Sequence, residues 1–109
     1  MTLADTDFKF ATDALVAAII EHTRCVRREA ERQEILKVRE TEVIGDVTGA
    51  NEAQRKANLR AALANEHQDL YAAEQETRLA RRDLDIAQAR LDCLRYQLRL
   101  IENAGWGRE

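Results

Sequence analysis

The 109-residue chain contains no proline, no serine and only 4 glycines, and its formal net charge at pH 7 is −3. This length supports at most one domain, and the scarcity of helix breakers favours long helices. Charged residues make up 34% and aromatic residues 5%, which suits thin helices better than a thick globular core. The acidic balance disfavours a general attraction to nucleic acid or anionic lipid, and the lack of serine excludes a Ser-His-Asp triad.

The two cysteines and the N-terminal region bear on the compartment. Cys25 and Cys93 form no CxxC pair, and no basic segment typical of a signal peptide precedes them, so we expect reduced thiols. The apolar run from Ala14 to Ile20 is far too short to span a bilayer. These features predict a cytoplasmic protein with no membrane partner.

A first helix is predicted from about residue 8 to residue 44. Asp5, Thr6 and Asp7 are candidate N-caps, since their side chains suit a helix N-terminus. The helix has an apolar stripe that is weak between Arg27 and Glu34. Its members are Phe8, Leu15, Ile19, Val26, Leu36 and Val43.

A turn is predicted over residues 45–50. Gly45 is well placed as a C-cap, and Gly49 permits an unusual backbone angle. Asn51 is expected to cap the next helix, with Gln54 completing a capping box. So short a loop predicts antiparallel helices.

A second helix is predicted from about residue 51 to residue 103, with a coiled-coil seam along it. The seam is interrupted only by Glu66 and Thr77. Its apolar members recur with alternating spacings of three and four: Leu59, Leu63, Leu70, Ala73, Ala80, Leu84, Ala87, Leu91, Leu94, Leu98 and Ile101. Residues 104–109 are predicted to form a flexible tail, in which Trp106 either folds back onto the helix end or anchors a partner.

The two helices differ in predicted length, and this difference indicates oligomerisation. If Ile44 lies beside Asn51, Phe8 lies opposite about residue 87. Four large apolar residues of the seam would then extend past the first helix and be bare in a monomer: Leu91, Leu94, Leu98 and Ile101. A second apolar row, with a spacing of seven, lies on the other side of the second helix. We therefore predict an all-α, long antiparallel helical hairpin, a single domain over residues 1–109, that assembles into a homo-oligomeric bundle, with a dimer favoured. The expected interface residues are Leu79, Leu84, Ile86, Leu91, Cys93, Leu94, Leu98, Leu100 and Ile101.

Candidate chemical sites are weak. His22 and Cys25 lie one turn apart, but His67 is expected about 9 Å further along the helix axis, which is a poor arrangement for a metal. Two or three helices also rarely enclose a substrate. We expect no catalytic residues, no metal and no cofactor, and therefore a protein that is not an enzyme.

Arginines form two clusters that are candidates for nucleic-acid contact. A stripe of them could follow phosphates, although glutamates lie among them and no aromatic residue is interleaved for base stacking. A salt-bridged surface is the alternative interpretation. The residues are Arg24, Arg28, Arg32, Arg78, Arg81 and Arg82.

The segment from Thr48 to Leu59 carries a resemblance. It reads TG-x-NE-x-x-R-x-x-x-L and resembles a turn-and-cap pattern in small helical proteins encoded by bacteriophages and prophages. Those proteins tend to be encoded among recombination and replication genes, and many have no assigned activity. The resemblance implies a bacterial host cytoplasm and a role as an interaction or adaptor protein accessory to DNA metabolism. The alternatives are a direct DNA-binding cofactor and an inhibitor of a host or defence complex.

Overall fold

The computed structural model describes residues 4–106, with the backbone alone at Trp106. It contains α1 (Asp5–Val43), α2 (Glu52–Ala62) and α3 (Ala64–Trp106), and no strand occurs within these residues. The all-α prediction is confirmed. No described helix combines the length and apolar character needed to cross a bilayer.

The start of α1 lies three residues earlier than the sequence predicts. Ala4 occupies the cap position, and its N–H donates to the Asp7 carboxylate at 3.0 Å, while the Asp7 N–H donates to the Ala4 carbonyl at 2.9 Å. The capping carboxylate therefore belongs to Asp7, inside the first turn. The helix dipole also favours acidic side chains there.

The buried side of α1 differs in part from the predicted stripe. Ile19 and Val26 are exposed. The buried positions recur with alternating spacings of three and four from Phe8, and Ala18 and Cys25 occupy them instead. Two charged residues, Glu29 and Arg32, occupy seam positions in the weak middle part. The buried or half-buried series is Phe8, Ala11, Leu15, Ala18, His22, Cys25, Glu29, Arg32, Leu36 and Val43.

The predicted seam residues are buried or half-buried from Leu63, just before α3, to Leu94, including both polar interruptions. The Thr77 hydroxyl lies 3.2 Å from the Cys25 carbonyl oxygen of α1 and 3.0 Å from the Ala73 carbonyl oxygen. Glu66 accepts from Arg39 Nε at 3.4 Å. Each polar seam residue thus has a partner on α1, which limits the cost of burying it.

The pairing of α1 with α3 is antiparallel, but its register differs from the predicted one. Phe10 lines a groove with Cys93 and Leu94, about two turns further along α3 than expected. The loop after α1 does not turn tightly. It runs back beside α2, where the Asn58 side chain donates to the Thr48 carbonyl at 2.6 Å.

The second helix is not continuous, which corrects the predicted helix over residues 51–103. Leu63 separates α2 from α3 with φ −107° and ψ 20°, although its N–H still donates to Leu59 and its carbonyl still accepts from His67. Leu63 is also among the most buried side chains. At the other end, α3 continues through Gly105 to Trp106; the Trp106 side chain and residues 107–109 of the predicted tail lie outside the described residues.

The fold forms two compact units. Unit 1 comprises Met1–Thr23 and Leu79–Glu109, of which residues 4–23 and 79–106 are described. Unit 2 comprises Arg24–Arg78. The two long helices, α1 and α3, contribute to both units, whereas the loop and α2 belong to unit 2 alone.

Candidate interaction surface

Unit 1 carries an exposed apolar surface, which we call the apolar face. Its α3 part repeats every seven residues, and its α1 part contains Phe10, the most exposed large apolar side chain at 81%. The apolar face consists of Phe10 and Ala14 on α1 and Leu79, Ile86, Cys93 and Leu100 on α3. Exposed apolar side chains repeated along one side of a helix are typical of an interface.

An open groove of about 420 Å³ joins the two helices at one end of the apolar face. Phe10, Ala11 and Ala14 form its α1 side, and Cys93 and Leu94 form much of its α3 side. Asp7 and Arg90 are the charged residues at its rim. The groove therefore offers an apolar floor with one charge of each sign at its margin.

The opposite flank of α3 within unit 1 is charged and internally paired. Arg81 Nε lies 3.2 Å from the Asp85 carboxylate, one turn away. The Gln88 side chain donates to Asp92 at 3.0 Å, and Arg95 lies 3.8 Å from the same carboxylate. This charged flank is solvated and satisfied, so the exposed apolar residues of α3 are concentrated on the other flank.

The predicted interface residues divide into two groups. Leu84, Leu91 and Leu94 are buried or half-buried in the seam between α1 and α3 of the same chain. The prediction that Leu91 and Leu94 are bare in a monomer is wrong, because the shifted register brings the start of α1 over them. Leu98 and Ile101 remain 37% and 39% exposed, beside the four exposed α3 members of the apolar face.

The contribution of α1 to the apolar face was missed. Phe10 and Ala14 lie next to the seam residue Ala11 and face the same groove. Phe10 and Ala14 are four residues apart and therefore lie one turn apart on the same side of α1, beside the seam. This spacing could have shown that α1 contributes to the apolar face. The sequence interpretation followed a stripe from Phe8 to Leu15 and did not include Phe10 or Ala14.

In unit 2, ion pairs between α1 and α3 lie beside the apolar seam. Arg28 lies 4.0 Å from Glu76, and Arg32 lies 3.9 Å from Asp69. The pKa of Arg39 is raised above its ordinary value, chiefly by its hydrogen bond to Glu42 and next by the one to Glu66. Because a raised pKa favours the charged form, deprotonation of Arg39 removes this contribution to stability only as the pH rises into strong alkali.

The candidate nucleic-acid residues are mostly engaged with protein groups. Arg28 and Arg32 face carboxylates across the helix pair, and Arg81 and Arg82 face Asp85 and Asp83 within α3. The Arg24 guanidinium lies 4.0 Å from the Cys25 sulfur. Arg78 is exposed. Four of the six side chains therefore already lie near a negative charge.

The predicted turn and cap residues lie in unit 2. Asn51 is the N-cap of α2, and its side chain accepts from the Gln54 N–H at 2.8 Å. The Gln54 side chain reaches the N–H of Ala50 instead of that of Asn51. Neither Gly45 nor Gly49 has a positive φ, so an unusual backbone angle is not the reason for either glycine.

The weak metal candidates do not form a cluster. Cys25 is buried and His22 is half-buried on α1, whereas His67 is exposed on α3. Within residues 4–106 no group of three histidine, cysteine or acidic side chains is arranged to hold a metal ion. Comparisons with protein-family models, curated proteins and solved structures found no match to this chain.

Proposed function

We propose that this chain is a non-enzymatic coiled-coil interaction protein whose contact surface is the apolar face of unit 1. The observation that carries the proposal is the asymmetry of α3. One flank is closed by ion pairs within the helix, while the other exposes Leu79, Ile86 and Leu100. Apolar side chains held in a row on a rigid helix are suited to packing against another protein.

The proposed cellular setting follows from the turn motif alone. The resemblance of the segment from Thr48 to Leu59 to phage and prophage proteins favours an adaptor accessory to recombination or replication in a bacterial cytoplasm. An inhibitor of a host or defence complex would use the same apolar face. The two roles differ in the identity of the captured protein, whereas direct DNA binding would need the arginines that now face carboxylates.

The test is photo-crosslinking in the native host. We would place p-benzoylphenylalanine at Phe10, on the apolar face, and at Gln88, on the charged flank, as the matched control. We expect adducts from position 10 to exceed those from position 88 by at least fivefold, because only the apolar face is covered by a partner. The mass of the adduct separates a second copy from another protein, and a host enzyme in the adduct supports inhibition.

Equal yields at the two positions, or no adduct at either, would contradict the proposed contact surface. Circular dichroism of both variants checks that the helices persist. Because Phe10 is replaced by another large aromatic residue, the variant preserves the groove it is meant to report on.

A further inference from the structure

We propose that the apolar face binds a second copy of this chain, with α3 antiparallel to α3 and a twofold axis at Ile86. This inference rests on the proposed function and names the partner. The charged residues beside the apolar row distinguish this dimer from other twofold-symmetric dimers that use the same row.

Asp83 and Arg90 are the charges that decide the register. They lie three residues before and four residues after Ile86, on the edge of α3 that borders the groove. With the axis at Ile86, each Arg90 lies within one residue, about 1.5 Å along the helix, of the position level with the partner's Asp83, which gives two complementary pairs by symmetry. Among the described residues of its own chain, Asp83 has a distant contact to the adjacent Arg82, at 3.9 Å.

Two other antiparallel registers also pair at least three of the four apolar residues of the seven-residue repeat with the same repeat of the partner. An axis midway between Ile86 and Cys93 places Arg90 opposite the partner's Arg90, and this pair of like charges is unfavourable. An axis at Cys93 places Arg90 opposite the partner's Gln97, which supplies no ion pair. The axis at Ile86 alone combines apolar contact with opposite charges.

A parallel arrangement is also disfavoured by charge. Arg90 lines the groove, and Asp83 lies two turns away along α3. A parallel dimer places each residue of unit 1 at the same height along the helix axis as the same residue of the partner. The two Asp83 carboxylates would then come to one height, whereas the antiparallel dimer brings the partner's Arg90 to the height of Asp83.

The apolar contacts agree with the proposed axis. Ile86 packs on the partner's Ile86, and Leu79 packs on the partner's Cys93. On α1, the side chains of Ala14 and Ala17 are small, so the α1–α3 pair of one chain can approach that of the other closely.

The contact is small, and its size predicts a reversible dimer. The apolar row from Leu79 to Cys93 is about 21 Å long at 1.5 Å per residue, and α1 and α3 side by side are about 20 Å wide. That footprint is below the roughly 800 Å² that each partner buries in a standard stable interface. We therefore expect a concentration-dependent equilibrium between monomer and dimer.

The first test is a charge-reversal cycle followed by sedimentation equilibrium. For the unmodified chain, we expect the mass to rise from one 12.5 kDa chain towards two as concentration increases. Arg90→Asp and Asp83→Arg should each raise the dissociation constant at least tenfold, because each places like charges opposite one another. The double variant should return to within threefold of the unmodified chain. Arg99→Asp, on the other flank of α3, is the control and should change nothing.

The second test locates the axis with thiols. Cys93 is exposed and Cys25 is buried, so Cys93 is the reporter. Under mild oxidation Leu79→Cys should yield a covalent dimer through Cys93 of the partner subunit, while the unmodified chain should not. The two positions lie about 21 Å apart on one helix, too far for a disulfide within one chain.

Each outcome decides between the arrangements. A monomer at every concentration overturns the second copy as partner, while adducts at position 10 with a different protein still support the proposed function. A dimer that the single reversals leave intact, or that the double variant fails to restore, overturns the axis at Ile86. A Cys93 disulfide dimer of the unmodified chain supports the axis at Cys93 and contradicts ours.

Discussion

Leu91 and Leu98 occupy equivalent seam positions seven residues apart on α3, yet their environments differ. Leu91 is 5% exposed beneath the first turns of α1, whereas Leu98 is 37% exposed. A spacing rule treats them alike, and the sequence interpretation placed both past the end of the first helix, in an oligomer interface. At the scale of single residues, the end of the partner helix decides how much each leucine contributes to stability.

We expect Leu91→Ala to lower the free energy of unfolding by about 2–5 kcal/mol, since it removes buried methyl groups and leaves a cavity. Leu98→Ala makes the same chemical change at a partly exposed site and should cost less than half as much. Urea unfolding followed by circular dichroism measures both, and Gln88→Ala on the charged flank serves as a neutral reference. Equal losses for the two leucines would contradict the register.

At the scale of elements, the link between α1 and α2 depends on a close approach. A Cβ atom built on Gly49 would lie 2.8 Å from the Arg55 nitrogen and 3.1 Å from the Gln54 carbonyl carbon, both backbone atoms at the start of α2. A Cβ atom on Gly45 would meet nothing within 4 Å. The two glycines therefore have different roles, although both stand in the same loop.

Alanine at each glycine separates these roles. Gly49→Ala should destabilise the protein by about 1–3 kcal/mol, because backbone atoms have to move to admit the methyl group. Gly45→Ala should be neutral or stabilising by up to about 1 kcal/mol, because it restricts the unfolded chain without a clash. Thermal unfolding of the two variants gives the comparison. A larger loss at Gly45 than at Gly49 would contradict this account of the loop.

At the scale of the whole molecule, net charge and ion pairing act together against nucleic-acid binding. The chain carries −3 overall, and Arg28, Arg32, Arg81 and Arg82 lie within 4.0 Å of carboxylates. Binding to phosphates would require breaking these contacts or sharing the guanidinium groups. The balance of charge therefore disfavours binding to nucleic acid.

We expect no binding of fluorescent single- or double-stranded oligonucleotides at about 20 mM salt, where phosphate contacts are strongest. Fluorescence anisotropy over a protein concentration series is the measurement, with Arg28→Ala and Arg78→Ala as paired variants. Binding that weakens with salt and with either substitution would support the DNA-binding alternative in place of the interaction protein.

Much of the fold could be predicted because its signals are local. Residues three and four apart meet on one side of a helix wherever the chain is placed, so the seam from Leu63 to Leu94 could be read directly from its spacing. The Asn51 cap likewise depends on atoms only three residues apart. Helix type, the capped turn and the seven-residue apolar row of α3 belong to this class.

Only the tertiary structure decided the register, the break at Leu63 and the part of α1 in the apolar face. Register depends on the loop, which lies along α2 through the contact between Thr48 and Asn58, and no periodicity encodes that path. Leu63 stands among good helix formers and departs from helical geometry where its side chain is buried. Phe10 and Cys93 are distant in sequence and share a groove only after the helices pair, since packing between distant segments sets which exposed residues become neighbours.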